Sequence, residues 1–234
     1  MSAASDKLSS DVRKILATTW ATRTGQVVPK TEDVALENGA VKLDVVILYA
    51  DLAHSTQLAR KDRSVAAKIV RAYLSTMTRL VNDCGGTVRS FDGDRVMGIF
   101  IGGSKNSNAA KCALKMNWVV KEVLAPQAKA KFSSLKDFNI THCAGVSGSQ
   151  VLVVRGGVRG SNDLVFVGSA PNIAAKLSEI RDGGYRSYID WEVHKYLNDA
   201  SKYGKDKKHT WVKTSRKIAG AEWDLYKSSW QWTP

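Results

Sequence analysis

The chain has 234 residues, and its 35 basic and 22 acidic side chains give a formal net charge of +13. An apolar content of 44% and an aromatic content of 8% are ordinary for a globular protein and exclude wholesale disorder. This length fits one domain with short terminal additions, because a single hydrophobic core grows to roughly 250 residues before it splits. The positive charge favours anionic partners, which are nucleic acid, phosphorylated small molecules or an acidic membrane.

Three features narrow these classes. No apolar run reaches the ~18 residues that cross a bilayer, and the start, MSAASDKLSSDVRK, contains no secretory signal, so we expect a cytoplasmic protein without a membrane partner. Cys84, Cys112 and Cys143 lack CxxC or Cys/His spacing and are predicted to be reduced packing residues. The basic run at 202–209 is typical of a solvated loop, which argues against nucleic acid as a partner.

The first half of the chain predicts helices, an extended segment and a hairpin. In chain order these are an amphipathic helix at 8–20, a polar connection, an extended run at 41–51, a long helix carrying Leu58 to Val81, a hairpin in TVRSFDGDRVMGIF, and a helix at about 105–124. Gly85 and Gly86 supply the stop of the long helix. We assign residues 1–40 to the N-terminal helix and connection.

The second half alternates strands and helices. The expected elements are strands near 138–147 and 150–155, a Gly-rich loop RGGVRGSND, a strand LVFVG, a helix opening at SAPN, a strand YRSYI, a helix DWEVHKYLND, and strands HTWV and EWDLY. Together with the first half, this order predicts an α/β sandwich, a sheet with helices packed on it, over residues 41–234.

The stretch VVILYADLAHST ends a buried strand in a carboxylate. Because side chains alternate along a strand, Ile47, Tyr49 and Asp51 share one face, and Asp51 lies at the C-terminal end. Ser55 and Thr56 follow as predicted helix caps, beside backbone N–H groups that attract an anion. Taken alone, Asp51 is better explained as a strand-end or capping residue.

The hairpin changes that interpretation. In SFDGDR, Asp92 and Gly93 are predicted central residues of a type I′ turn, and Asp94 is expected to begin the return strand. If the hairpin pairs with the first strand, Asp94 comes close to Asp51. Two adjacent carboxylates repel each other unless they are protonated or bind a metal, and hard oxygen ligands suit Mg²⁺ or Mn²⁺.

Four motifs in order resemble those of the class III nucleotidyl cyclase homology domain: YADLAHST, GGTVRSFDGDRVMGIF, HCAGVSGSQVLV and VGSAPNIAAKLSEI, between about residues 43 and 181. The resemblance implies the ferredoxin-like fold of that family, with a central, mostly antiparallel sheet and flanking helices. It also implies two divalent metals per active site, held by Asp51, Asp94 and the backbone carbonyl of Leu52. A homodimer with shared active sites at the subunit interface is implied as well.

The fourth motif supplies further catalytic candidates. Pro171 fits the first turn of a helix, and Asn172 and Lys176 then lie four residues apart on one helix face. The resemblance gives Asn172 the role of orienting the ribose and Lys176 the place of an arginine that stabilises phosphate charge. Lysine keeps the charge but loses the bidentate geometry of arginine. A lysine that binds the triphosphate is expected in KTSRKIAG, with Lys217 preferred over Lys213.

The positions that read a purine base in this family hold Ser90 and Val165, and neither matches a purine edge. Tyr49 and Arg95 are therefore the candidates for substrate choice: a ring that stacks on a base or shrinks the pocket, and a donor suited to pyrimidine carbonyls. For each, the alternative is structural: Tyr49 in the core and Arg95 exposed on the hairpin.

This pattern resembles the stand-alone bacterial pyrimidine cyclases of Pycsar anti-phage defence. The likeness implies a manganese-dependent enzyme acting on UTP or CTP, whose cyclic UMP or cyclic CMP signals to a separate effector protein. We expect UTP and not CTP as the substrate, because uracil presents two carbonyls and Arg95 can only donate. The alternatives are a cytidylate cyclase, a purine cyclase, and a catalytically silent module that binds nucleotide or nucleic acid.

Overall fold

The computed structural model describes residues 2–234. Its helices are α1 Ala3–Leu16, α2 Ser55–Lys61, α3 Arg63–Asp83, α4 Lys105–Val119, α5 Ala125–Lys131, α6 Ser169–Ser178, α7 Trp191–Lys195 and α8 Asp199–Lys202. Its strands are β1 Ala21–Thr24, β2 Gly39–Leu52, β3 Thr87–Asp92, β4 Arg95–Phe100, β5 His142–Val158, β6 Ser161–Val167, β7 Ser187–Asp190, β8 Val212–Ile218 and β9 Ala221–Ser228. A π-helical turn, Val120–Leu124, joins α4 to α5, and short 3₁₀ turns cover Thr31–Asp33 and Ser133–Leu135.

The chain divides into two compact units, and β2 and β5 run through both. The first unit comprises residues 1–43 and 150–168. There β1 pairs in parallel with the start of β2, and β5 pairs with β6 in an antiparallel hairpin. The amphipathic helix predicted at 8–20 is α1, at Ala3–Leu16, and none of its residues is buried. The predicted division of the chain at residue 40 stays a prediction.

The second unit comprises residues 44–149 and 169–234 and carries a sheet in the order β3-β4-β2-β5-β7-β9-β8. The pairs β3–β4, β2–β4, β7–β9 and β8–β9 are antiparallel, whereas β5 and β7 are parallel. Helices pack on both faces of this sheet. The predicted fold class, a mostly antiparallel sheet flanked by helices, is confirmed.

Two hydrophobic clusters explain why the faces of β2 differ. Val46, Leu48 and Ala50 are fully buried in the larger cluster, together with residues of α3 and α4 such as Tyr73 and Leu114. The smaller cluster lies between α6 and the sheet and includes Ile173, Leu177, Cys143, Tyr188 and Leu225. The alternation of β2 therefore turns Tyr49 and Asp51 away from α3 and α4, as predicted for this strand.

Several predicted boundaries were wrong. The long helix predicted from Leu58 to Val81 is two helices, because Asp62 adopts an extended conformation and caps α3, its carboxylate accepting from Val65 N at 3.0 Å. The Gly-rich segment at 155–163 is mostly strand, since β5 continues to Val158 and β6 starts at Ser161. The strand predicted at HTWV begins only at Val212.

The hairpin turn was also predicted one residue too early. Asp92 pairs with Arg95 across the two strands, so Gly93 and Asp94 form the two-residue turn, and Asp94 does not begin the return strand. Gly93 has φ +60°, while Asp94 has no positive φ. A positive φ at the first central position alone is the pattern of a type II′ turn, which requires glycine there.

Candidate active site

Strand register brings Asp51 and Asp94 to the same edge of the sheet. Tyr49 lies opposite Met97 and Asp51 lies opposite Arg95, so Asp94 in the turn is one residue beyond the partner of Asp51. Burial raises the pKa of the Asp51 carboxyl, a hydrogen bond from Arg181 lowers it, and the negative charge of Asp94 raises it again. The two carboxylates therefore repel each other, which is the situation that a bound cation relieves.

The donor set fits a divalent cation that also binds its substrate. In residues 2–234, no group of three or more His, Cys, Asp and Glu side chains is placed to hold a metal ion by itself. Asp51, Asp94 and the carbonyl of Leu52 offer hard oxygen ligands. Mg²⁺ and similar ions are commonly held by one or two carboxylates plus substrate phosphates, so this incomplete set suits such an ion.

Arg181, which is not among the predicted site residues, is the observed partner of Asp51. Its Nη2 donates to Asp51 Oδ2 at 2.5 Å, and its Nη1 donates to the carbonyls of Ser178 and Ile180 at 2.6 and 3.0 Å. Arg181 thus connects the end of α6 to the end of β2. The only sequence signal was a basic residue just beyond a helix C-terminus, a common site for binding the last carbonyls.

Tyr49 and Arg95, the two candidates for substrate choice, are adjacent in the structure. The guanidinium carbon of Arg95 lies 5.4 Å from the centroid of the Tyr49 ring. Arg95 Nη1 donates to Glu179 at 2.8 Å and Nη2 donates to Asp92 at 2.9 Å. Burial would lower the pKa of Arg95, but these two hydrogen bonds raise it above its usual value. The Arg95 side chain is 20% exposed, so it is a positioned donor at the edge of the sheet that holds Asp51 and Asp94.

The Tyr49 ring is half-buried and its hydroxyl has a sulfur partner. The phenol donates to Met97 Sδ at 3.2 Å, and Ser90 Oγ lies 3.7 Å from the same sulfur. Burial raises the pKa of Tyr49, and Arg95 lowers it in part. Ser90 therefore belongs to the Tyr49 side of the sheet. Val165 lies on β6 in the first unit, opposite Val154, and is 47% exposed.

Ser55 and Thr56 do not cap a helix, contrary to the prediction. They form the first turn of α2, and the N-cap is His54, with φ 62° and no side-chain capping bond. Both residues instead line a groove of about 1150 Å³ that also contains Arg63, Phe91 and Asp94. The groove is formed by α2, α3 and the β3–β4 hairpin.

The basic candidates lie on a different groove. Lys176, Arg181, Arg216 and Lys217 line a depression of about 390 Å³ at the end of α6 and the β8–β9 turn. Asn172 is exposed on the same helix as Lys176. Lys213 is paired with Asp224 at 3.3 Å, which favours Lys217 as the free phosphate-binding candidate. A single chain therefore does not place Asn172, Lys176 or Lys217 in the groove that contains Asp94.

Comparison with known proteins agrees on the family and the fold. The sequence matches no model of a protein family. It is 42% identical to the uridylate cyclase of Rhodovulum sp. (strain MB263), covering 96% of this chain and 95% of the relative. It is 36% identical to the uridylate cyclase of Xanthomonas perforans, covering 97% of each chain.

Solved structures of cyclases share the fold at low sequence identity. A bacterial light-regulated adenylyl cyclase superposes with a TM-score of 0.71 at 20% identity, covering 84% of this chain and 54% of the other. The guanylyl cyclase Cya2 superposes with a TM-score of 0.68 at 18% identity, covering 82% and 95%. The predicted resemblance is thereby confirmed: the chain has the class III cyclase fold and belongs to the family of the uridylate cyclases.

Proposed function

We propose that this chain is a pyrimidine nucleotidyl cyclase that converts UTP into 3′,5′-cyclic UMP and pyrophosphate. The observation that carries the proposal is the register of β2 and β4, which places Asp51 and Asp94 together beside the Tyr49–Arg95 pair. The carboxylates supply the metal-binding edge of a nucleotide site. The ring and the guanidinium supply a small pocket with a fixed donor, which suits a pyrimidine carbonyl better than a purine.

The residues divide the work of cyclisation. Asp51, Asp94 and the Leu52 carbonyl would hold two divalent cations, Mn²⁺ or Mg²⁺. Such ions, when bound, lower the pKa of the ribose 3′-hydroxyl and neutralise the triphosphate. Arg95, fixed by Asp92 and Glu179, donates to the base. Ser55 and Thr56 line the groove that contains Asp94 and would contact the nucleotide.

We propose that a second copy of the chain completes the site. Asn172, Lys176 and Lys217 are exposed and lie outside the Asp94 groove of their own chain. In a homodimer with two shared sites, Asn172 orients the ribose, and Lys176 and Lys217 stabilise phosphate charge. Each of these donors is worth about 2 to 4 kcal/mol if it acts mainly in the transition state.

The biological role we propose is second-messenger synthesis in antiviral defence, with the cyclic nucleotide read by a separate effector protein. Its support is the likeness of the YADL and APNIAAKLS motifs to defence-associated pyrimidine cyclases. Within residues 2–234, every helix is too short or too polar to span a bilayer.

The decisive experiment incubates the purified chain with Mn²⁺ and each of the four nucleoside triphosphates and identifies the products by mass spectrometry. We expect cyclic UMP from UTP. Product from CTP alone would reassign the enzyme as a cytidylate cyclase, and product from ATP or GTP alone would overturn the pyrimidine assignment. Nucleotide binding without any cyclic product would overturn the enzymatic proposal itself.

A matched pair of variants separates the metal site from general effects of charge. Asp51→Asn should abolish cyclisation while the protein stays folded. Asp44→Asn changes another aspartate of β2, one whose exposed carboxylate pairs with Lys105 at 2.8 Å. It should leave turnover within twofold of the unmodified protein.

A further inference from the structure

A second polar cavity lies in the same unit as the candidate active site but has its own walls. Its volume is about 640 Å³, and its walls come from the α4–α5 region, the segment before β5, the loop before β7 and residues beyond β9. We call it the Lys129–Arg186 cavity. The side chains that matter for its chemistry are Asn117, Lys121, Lys129, His142 and Arg186.

The charged side chains that line this cavity are all basic. Lys121, Lys129 and Arg186 line it, and no carboxylate of the described chain does. Glu122, outside the lining, is 3.6 Å from Lys121 and offsets part of that charge. Arg186 Nη1 donates to the carbonyl oxygen of Tyr185 at 2.9 Å, and Lys129 is exposed. A concave surface lined by cations of one sign concentrates anions.

The wall also contains a buried ring nitrogen without a hydrogen-bond partner in the protein. His142 is 1% exposed, and its Nδ1 lies 3.3 Å from the hydroxyl of Tyr73. Burial, with Arg186 and Arg181 nearby, lowers the pKa of His142 to about 3, so the ring is neutral. If the Tyr73 hydroxyl donates to Nδ1, the ring proton is on Nε2, which has no hydrogen-bond partner in the protein. Buried donors are normally satisfied.

The backbone of the wall is irregular at one place. The π-helical turn Val120–Leu124 contributes Val120 and Lys121 to the lining. Such turns widen a helix locally and occur frequently at functional sites. Here the widened turn carries one of the three cations.

The same wall supports the metal-binding segment of the candidate active site. Thr141, which lines the cavity, accepts a hydrogen bond from Ala53 N at 2.9 Å. Ala53 directly follows Leu52, whose carbonyl is a proposed metal ligand. A ligand that orders Thr141 and His142 therefore acts on the backbone of residues 51–53 through one hydrogen bond.

We propose that the Lys129–Arg186 cavity binds a phosphate-bearing small molecule, held by Lys129 and Arg186, and that its binding orders the Asp51–Ala53 segment. Phosphate suits the site because it accepts several charge-assisted hydrogen bonds from arginine and lysine at once. The inference goes beyond the proposed cyclase activity and does not require it.

The test uses the full chain without metal or nucleotide and inorganic phosphate as the probe. Binding is measured by calorimetry, and exchange of the Ala53 amide is followed by hydrogen–deuterium exchange. We expect saturable binding that Lys129→Gln and Arg186→Gln each weaken about tenfold, and slower exchange at Ala53 when phosphate is bound. A parallel titration with ribose 5-phosphate identifies the kind of ligand that the cavity binds. Tighter binding than that of inorganic phosphate indicates an organic phosphate, and equal binding indicates the free ion.

The control is Lys131→Gln, which removes an exposed cation of the same helix as Lys129 that does not line the cavity, and it should leave phosphate binding unchanged. Lys129 is exposed, so its replacement leaves folding intact even if Arg186→Gln does not. Absence of saturable binding overturns the proposal. So does binding that Lys217→Gln abolishes and Lys129→Gln spares, because the phosphate then occupies the nucleotide site. Binding without slower exchange at Ala53 overturns the proposed ordering of the Asp51–Ala53 segment.

Discussion

Arg181 and Asp51 are 130 residues apart in the chain and form an ion pair with an Nη2–Oδ2 distance of 2.5 Å. Their side chains are 31% and 16% exposed, so the pair is partly shielded from water. Because Asp51 is also a proposed metal ligand, the guanidinium and a divalent cation compete for the same carboxylate.

We therefore expect Arg181→Gln to bind Mn²⁺ about tenfold more tightly in the absence of nucleotide, a change of about 1.4 kcal/mol. Electron paramagnetic resonance of free Mn²⁺ measures this affinity directly. The matched control is Arg216→Gln, whose arginine pairs with exposed Asp182 at 2.9 Å and not with Asp51. Unchanged or weaker Mn²⁺ binding by Arg181→Gln would contradict the competition.

Substrate choice is predicted to depend on the size of the Tyr49 side chain. Tyr49→Ala should raise kcat/KM for ATP and GTP relative to UTP by about tenfold, equivalent to about 1.4 kcal/mol in transition-state binding. Tyr49→Phe keeps the ring and loses only the hydroxyl contact with Met97 Sδ. It should keep the selectivity of the unmodified protein in a competition assay with mixed nucleotides. Equal selectivity of the alanine and phenylalanine variants would rule out a steric role.

Acid is predicted to destabilise the protein through His142. Its pKa is about 3 in the folded chain and about 6.5 when unfolded, so the unfolded state binds a proton that the folded state does not as pH falls below 6.5. The stability that neutral His142 contributes is therefore present above pH 6.5 and is lost as the pH falls below it. Between pH 7 and pH 5 the loss due to His142 is about 2 kcal/mol.

Urea unfolding at the two pH values measures this loss. His142→Gln should reduce the difference between pH 7 and pH 5 by that amount, while His209→Gln, at an exposed position, should not. An unchanged difference in His142→Gln would show that the buried imidazole is protonated in the folded protein.

Cys84 is predicted to be the reactive thiol of the chain. The neighbouring Cys112 thiol lowers the pKa of Cys84 to about 7, with a smaller effect of nearby lysines, although partial burial opposes this. Burial raises the pKa of Cys143 to about 12. Cys84 lies at the C-cap of α3 and is only partly buried, so reagents can reach it.

Alkylation by iodoacetamide, mapped by mass spectrometry, should modify Cys84 first, with a rate that rises through about pH 7. Cys112→Ala removes this neighbouring thiol and should shift the rise in rate to higher pH. Modification of Cys143 in the folded protein at a comparable rate would be inconsistent with its burial.

Local sequence patterns predicted what depends on neighbouring residues. The helix opening at SAPN, the β3–β4 hairpin and the alternation of β2 follow from turn residues and period-two hydrophobicity, and the structure contains all three. The proximity of Asp94 to Asp51 was also predictable, because consecutive hairpins usually pair with neighbouring strands. The split at Asp62 was missed because the apolar spacing continues across α2 and α3, although a capping residue was present in the sequence.

Side-chain pairs between residues far apart in the chain could not be predicted from the sequence. Arg181–Asp51 and Arg95–Glu179 each join residues at least 84 positions apart, and no local pattern indicates which acid a given arginine will reach. The same holds for Thr141 and Ala53, whose backbone hydrogen bond joins the residue before β5 to the residue after β2. Tertiary packing decides these contacts, and packing is visible only in three dimensions.

The pairing of β3 with β4 shifts by one residue between Val88 and Ser90, so that Arg89 is an extra residue in its strand. Beyond this bulge every side chain of β3 is on the opposite face from the one an unbroken ladder would give, which is why Ser90 lies beside Met97. Losing or gaining a single residue here would change which side chains of β3 face the proposed base pocket without replacing either aspartate. A single insertion or deletion in β3 could therefore change which nucleobase this fold accepts.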